Sequence, residues 1–528
     1  MIMVKNWERY TSKLADEKFD AIIIGSGISG LTTATFLSKA GKRVLVLEGH
    51  FKVGGWTHTF HRGQYEWDVG IHYIGGVGKK NALLRRLFDE ITEEQLQWEP
   101  MPDNYDRMVF PDKSYNFMSG REKFVDQLTE YFPEERKAIE LYVDMIKQCT
   151  KASRKFFMNK GLPKTVSGLT YGPMSRAFLQ WSDKTTWDVL RGLTDNQDLI
   201  GVLTGQYGDY GLPPKQSSFA IHASVVNHYL YGAYYPVGGS GMIAETIAPV
   251  IKKNGGKIVV NAKVSEILIH KNRAIGVKLE NGDQIQAPLV ISSAGVASTF
   301  GKLAPEASGY SEKLNHVHPS CAHICLYIGM DKSAENMALE ATNLWIYPGY
   351  DHDTNLQRYL KNTQSSFPVV YISFPSAKDP TWTEKHGQTA TMEAITLAPY
   401  EMFSAWDHTS WKKRGEDYDT RKSELTNRLM QYVYANVPKI EGHVDHLELS
   451  TPLTTRDFLG YDKGEIYGIE HSPERFRQKW LRPQTSVKDL YLTGQDIVTD
   501  GVAGALMSGV ITSSAILRKN VVKDLLKH

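Results

Sequence analysis

The chain has little cysteine: three in 528 residues, Cys149, Cys321 and Cys325, with no Cys-x-x-Cys pair. A disulfide framework or a zinc site needs more thiols at regular spacing, so a reducing, cytoplasmic setting is expected. Neither charge is in excess, because 61 Lys and Arg offset 59 Asp and Glu. Without a basic field, nucleic acid is not an expected partner. Long apolar runs are missing as well. The opening MIMVKNWERYTSKLADEKFD is charged throughout and lacks the apolar core of a secretory signal. The best candidate for a membrane span, Gly501 to Leu517, is short for a bilayer and rich in Gly, Ala and Ser, which predicts a buried helix instead.

What the chain does have is length and glycine. At roughly 150 residues per domain, it should divide into two or three lobes. The run Asp20 to Ile24 reads as a short buried strand, Leu31 to Ala40 as a packed helix, and Lys42 to Leu47 as a second strand. Together they predict one βαβ unit. Its first turn is Gly25-Ser26-Gly27-Ile28-Ser29-Gly30, the G-x-G-x-x-G spacing in the strand-to-helix context that the motif requires. Gly25 permits the tight turn, Gly27 lets the backbone approach a pyrophosphate, and Gly30 lets the helix pack on the strand. Glu48 closes the second strand where an acid would bond ribose hydroxyls, which points to an adenine dinucleotide without a 2′-phosphate.

A nicotinamide or a flavin dinucleotide would satisfy that motif equally, and the next residues separate them. After Glu48 and Gly49 comes HFKVGGWTHTF, in which Gly54 and Gly55, followed by Trp56, form a second glycine pair. This segment resembles the double-glycine signature of the FAD-dependent amine oxidase and phytoene desaturase superfamily, which implies FAD. Further stretches carry the same resemblance. Tyr235 to Met242, YPVGGSGM, is similar to the family segment before a helix near the flavin. Lys263 to Glu266 is similar to the strand whose Val264 would contact the adenosine end. LYLTGQDIVTDGVAGALMSG resembles the last flavin motif, where Gly494, Asp496 and Ala503 would approach the cofactor and a helix N-terminus would face its ring.

Trp67 to Gly75, Leu490 to Ile497 and EIYGIEHSPERF at Glu465 to Phe476 resemble the branch of retinol saturase-like proteins, carotenoid isomerases and carotenoid desaturases. That resemblance implies an FAD-dependent oxidoreductase acting on carbon–carbon double bonds of a retinoid or carotenoid polyene, foremost a saturase-type reduction. A desaturase or a redox-neutral cis-trans isomerase is the alternative. An amine oxidase and a non-catalytic prenyl-protein escort share the fold and stay open. Trp56 and Trp67 depart from the smaller or different residues that the branch implies. No second G-x-G-x-x-G opens another βαβ unit, so electrons must pass to or from an external donor or acceptor.

The implied fold class is α/β, a Rossmann-type FAD-binding domain of the glutathione reductase and amine oxidase type interleaved with an α+β substrate-binding domain. The expected boundaries are an N-terminal tail at 1–19, a discontinuous FAD-binding domain at 20–118, 235–299 and 485–528, and a membrane-facing substrate domain at 119–234 and 300–484. Within 254–293 a β-meander beginning with KIVV should return to the parallel sheet, which Asp489 to Thr493 should rejoin.

Candidates for work on the substrate are His72, Tyr467 and His471. His58 and His61 have no acid at metal spacing, so no metal is expected. Aromatics gather at Tyr207, Tyr210, Phe219, Tyr229, Tyr231, Tyr234 and Tyr235, and again at Trp345, Tyr347 and Tyr350, as core or as the wall of a polyene tunnel. Lys147, Lys151, Arg154, Lys155, Lys160 and Lys164 lie in a stretch without acids around Phe156, Phe157 and Met158, a candidate peripheral membrane contact.

Overall fold

Six short strands, most of them buried, pair side by side in one direction in this computed structural model, which describes residues 6–525. Their order is Glu8–Arg9, Lys257–Val260, Val44–Leu47, Ala21–Ile24, Val290–Ser292 and Leu490–Leu492, every neighbour parallel. An all-parallel sheet of Val, Ile and Leu must be covered on both faces. On one face the helix Ile28–Lys39 packs beneath Met242–Lys253 and Gly501–Leu517. The Gly, Ala and Ser of that last helix allow a close approach: a Cβ at Gly509 would lie 2.7 Å from the carbonyl oxygen of Ser29. Its small residues serve helix packing, and among the described residues no helix is long and apolar enough to cross a membrane.

Boundaries differ from expectation at three places. KIVV is a strand of the parallel sheet itself, and the antiparallel meander consists of Val264–His270, Arg273–Leu279 and Gln284–Gln286. Lys271 and Asn272 between the first two strands both have positive φ, the mirror-image turn that suits a twisted hairpin. The expected tail is also in part structured, since Glu8–Arg9 borders the sheet beside Val259 and Val260. The tail's first five residues and the final three of the C-terminal segment lie outside the described residues.

The second lobe is built on a seven-stranded sheet in the order Val444–Ser450, His323–Met330, Ala390–Leu397, Val370–Ser373, Asn343–Ile346, Asn104–Val109 and Ser114–Met118. The last two strands were expected with the cofactor lobe, but Asp106 to Val109 pair with Asn343 to Ile346. Alternation in a short strand does not say which sheet receives it. Helices Arg121–Tyr131, Arg136–Lys160, Lys164–Ser182 and Phe219–Tyr229 share one apolar core with this sheet. Cys149, Cys321 and Cys325 are free thiols.

Candidate active site

The parallel sheet changes winding direction at Ala21–Ile24, with Val44–Leu47 on one side and Val290–Ser292 on the other. Ligands of such sheets bind in the crevice at that switch, beyond the carboxyl ends of the strands. Gly25 begins the loop there at φ +95, and Gly30 packs so tightly that a Cβ would stand 2.3 Å from the Gly25 carbonyl oxygen. Gly27 is different. A Cβ on it would meet nothing within 4 Å, so its backbone faces open space at the start of the Ile28–Lys39 helix. The second glycine pair seats on the first loop: Gly54 bridges Gly27, and a Cβ on Gly55 would lie 3.1 Å from the Gly27 Cα. An open backbone cradle at a helix N-terminus fits a pyrophosphate.

Glu48 secures this cradle. One carboxylate oxygen accepts from the Ser26 amide at 2.9 Å and the Ser26 hydroxyl at 2.6 Å, and the other accepts from the His50 amide at 2.8 Å. The Ser26 hydroxyl in turn accepts from the Gly54 amide at 3.1 Å, so a single acid orients both glycine clusters. A carboxylate offers about four acceptor positions, which leaves one for a ribose hydroxyl.

One cavity of about 1,240 Å³ joins this cradle to the second lobe. Val264, Lys263 and Glu280 line its nucleotide end, and Ser29, Gly49, Gly494 and Gln495 lie along it. Asp500 to Ala505, the head of the Gly501–Leu517 helix, also faces it. Beyond are Trp56, His72, Tyr73, Tyr229, Trp345, Tyr371 and Tyr467. The Tyr467 hydroxyl donates to the Gly208 carbonyl at 2.8 Å, and Tyr73 and Tyr229 stack with centroids 4.1 Å apart.

Behind the aromatic end lies a buried ionisable network. His72 Nδ1 is 2.8 Å from Glu393 Oε2, and Glu393 Oε1 accepts from the Asp68 amide at 3.0 Å. Asp68 also takes the Tyr235 hydroxyl and the Ser240 amide. Lys378 donates to the His72 carbonyl at 2.8 Å and to Asn343 at 2.6 Å. Burial dominates their acidities: Glu393 is pushed up to about 8 and Asp68 to about 7, while His72 is held down at about 4 and Lys378 at about 8. His72 is therefore a neutral imidazole.

Other expected residues fall elsewhere. Asp496 does not line the cavity; its carboxylate accepts the amides of Val296 and Ile469 and so ties two loops together. His471 is fully buried behind the cavity wall, its Nε2 accepting the Asp500 amide at 3.1 Å. Asp500 takes the cavity position instead, its carboxyl pushed up to about 7 by burial. Trp67 packs with Phe60, Tyr65 and Tyr327 and donates to the Ile328 carbonyl, so of the two departing tryptophans Trp56 alone shapes the cavity. Of the aromatics expected at a tunnel wall, Tyr229 and Trp345 reach the cavity, whereas Tyr207, Tyr210, Phe219 and Tyr235 are core and Tyr231 faces solvent. Asp209, Glu393 and Lys378 were not legible, because each is an isolated residue that only the fold brings to the site, whereas Asp500 lies within the last flavin motif and was passed over for Asp496. Among the described residues no cluster could hold a metal ion.

Fold and cradle together define an FAD-binding oxidoreductase. The family model described as flavin containing amine oxidoreductase matches residues 28–326. All-trans-retinol 13,14-reductase of Danio rerio is 36% identical over 96% of this chain and 87% of that protein. A second Danio rerio protein, described as inactive all-trans-retinol 13,14-reductase, is 32% identical over 98% of this chain and 89% of its own length. Chloroplastic prolycopene isomerase 1 of an Oncidium hybrid cultivar is 26% identical over 95% of this chain and 84% of that protein. Among solved structures, cyclohexylamine oxidase from Brevibacterium oxydans superimposes with a TM-score of 0.61 at 15% identity, covering 97% of this chain and 99% of that one, a likeness of fold. The chain belongs to the flavin-containing amine oxidoreductases and, within them, to the family of the all-trans-retinol 13,14-reductases. Its cofactor is FAD.

Proposed function

We propose that the protein reduces one carbon–carbon double bond of a retinoid, with all-trans-retinol as the first candidate substrate. The observation that carries this reading is the single cavity joining an open dinucleotide cradle to an aromatic end. Its volume of about 1,240 Å³ exceeds the roughly 1,000 Å³ at the upper end for one drug-sized ligand. Gly25, Ser26, Gly27, Ile28, Ser29, Glu48, Gly49, Gly54 and Gly55 would hold the nucleotide half of FAD, with Val264 at the adenosine. Trp56, Gly494 and Ala503 would border its ring half. FAD, when bound, supplies hydride to an acceptor carbon. Tyr73, Tyr229, Trp345 and Tyr371 would bind the polyene through apolar area and exclude water. Neutral His72 and the Tyr467 phenol would border it.

An external donor would supply the electrons, through a diffusible or membrane-borne carrier. A polyene partitions into lipid, and the hairpin of Arg136–Lys160 and Lys164–Ser182 offers a place to meet it. Met158, Val166 and Leu169 are exposed there, Leu169 by 85%, beside exposed Lys151, Arg154 and Lys155. Lys160 and Lys164 do not belong to that face in the same way, since their ammonium groups donate to the carbonyls of Ile497 and Thr485.

Redox-neutral isomerisation is the second reading, favoured by the likeness to prolycopene isomerase. Anaerobic incubation of FAD-loaded protein with a chemical reductant and all-trans-retinol, and separately with a carotene, tests both by product mass. A gain of two hydrogens on retinol is expected. Unchanged mass with altered double-bond geometry would establish the isomerase instead, and no conversion by flavin-loaded protein would favour a non-catalytic role.

A further inference from the structure

The phenol of Tyr73 sits between two carboxyl groups, 3.0 Å from Asp106 Oδ2 and 3.1 Å from Asp209 Oδ2. A phenol has one hydrogen to give, so two hydrogen bonds require a second hydrogen, and one of the carboxyls must carry it. The donors around Asp106 decide which. Asn343 Nδ2 at 2.9 Å and Gln206 Nε2 at 2.8 Å both donate to Asp106. The Asn343 amide oxygen is taken by Lys378 Nζ at 2.6 Å, which fixes its NH2 toward Asp106. With these donors and the phenol, Asp106 is the ionised acceptor. Asp209 has no side-chain hydrogen bond other than that to Tyr73 among the described residues, so the second hydrogen is its own.

Burial raises both carboxyls; the bonds from Asn343, Gln206 and Tyr73 hold Asp106 back, whereas Asp209, beside the Asp106 charge, is pushed well above the usual carboxylate range, in agreement with this count. The two acids also differ in where they face. Asp209 lines the cavity, whereas Asp106 is fully buried behind it. Asp106 and Asp500 are the charged groups that bear on Asp209; the remainder of its surroundings is phenolic, with Tyr229, Tyr371 and Tyr467.

We propose that Asp209 is the acid that delivers a proton to the polyene, and that Tyr73 and Asp106 are positioning residues that keep that proton on it. This rests on the reading of a retinoid double bond as the substrate. In the step, the π bond of one carbon–carbon double bond opens. One carbon receives hydride, with the electron pair drawn from flavin that the external donor has reduced. The adjacent carbon forms its new bond to the Asp209 proton. Asp209 is left as a carboxylate and regains its proton from water, and the product carries two hydrogens more than the substrate.

The test uses FAD-loaded wild type, Asp209→Asn, Asp209→Glu and Tyr73→Phe. With pre-reduced enzyme and all-trans-retinol, Asp209→Asn should form product about 100-fold or more slowly, with flavin absorbance unchanged and activity partly restored in Asp209→Glu. Independently of turnover, infrared spectra should contain a protonated-carboxyl carbonyl band that shifts in heavy water. The band should be absent in Asp209→Asn and displaced in Tyr73→Phe. Product formation by Asp209→Asn at the wild-type rate, or an unaltered carboxyl band in that variant, overturns the proposal. Should wild type leave retinol untouched, the substrate reading fails, while the infrared result still decides where the proton resides.

Discussion

His72 Nδ1 stands 2.8 Å from Glu393 Oε2, deep behind the aromatic end of the cavity. With His72 held down at about 4 and Glu393 pushed up to about 8, chiefly by burial, the ring is neutral and the carboxyl keeps its proton at neutral pH. The cavity is thus bordered by an uncharged ring beside an uncharged acid.

Glu393→Gln should make stability less sensitive to alkali. Glu393 ionises near its ordinary 4.5 in the unfolded chain but near 8 in the fold. A carboxyl raised in this way contributes most below 4.5, and that contribution is lost as pH climbs toward 8. Glutamine keeps an acceptor for the Asp68 amide with no proton to lose. Across that window the variant should gain on wild type by an amount on the order of a few kcal/mol. The Glu393 charge is also one cause of the raised Asp68 carboxyl, so its removal lowers Asp68 and adds to the same gain. Denaturant titrations at the two ends of the window check this, and a constant difference between the proteins contradicts it.

Gly27→Ala and Gly30→Ala should fail in different ways. The new methyl at position 27 enters open space, so the apoprotein should melt near wild type while flavin binding is lost. At position 30 it meets the Gly25 carbonyl, and overpacking of this kind costs roughly 1–3 kcal/mol. Thermal melts of the apoproteins, read beside flavin absorbance after reconstitution, separate the two effects. Equal melting points would remove the distinction.

Glu48→Gln should weaken FAD binding about 10- to 100-fold, the worth of roughly 1.5–3 kcal/mol for hydrogen bonds to a charged group. Three donors converge on this carboxylate, and an amide must turn its NH2 toward one of them. Quenching of flavin fluorescence on titration with apoprotein measures the loss, and an unchanged affinity would show that Glu48 is dispensable.

Reversing Lys151, Arg154 and Lys155 to Glu should reduce co-sedimentation with anionic liposomes, and Leu169→Asp should reduce it on neutral ones as well. Each basic residue near an anionic surface is worth about 1 kcal/mol. Unchanged pelleting of both variants would remove this hairpin as the contact.

The glycine cradle was legible because its residues are neighbours in the chain. Gly25, Gly27, Gly30 and Glu48 belong to one strand–turn–helix–strand unit whose spacing is itself the signal. The Gly501–Leu517 helix was legible from small residues alone, with bounds that match the structure. The substrate half was not. Tyr73, Asp106, Asp209, Lys378 and Glu393 come from five separate segments, and their protonation depends on burial and on partners far away in sequence. His471 and Asp496 misled for the complementary reason: polar residues inside a recognisable motif can serve its backbone, here by receiving amides, without facing the cavity.

The contact of Gly509 with Ser29 also constrains when the protein becomes active. These residues are about 480 positions apart, yet they bring together two walls of the cavity. At about 5–20 residues per second, the ribosome needs roughly half a minute or longer to travel from one to the other. Throughout that interval the nascent glycine loop has no opposing wall. A flavin held between these walls would therefore be captured late in biogenesis, and its shortage would be felt by completed chains rather than by growing ones.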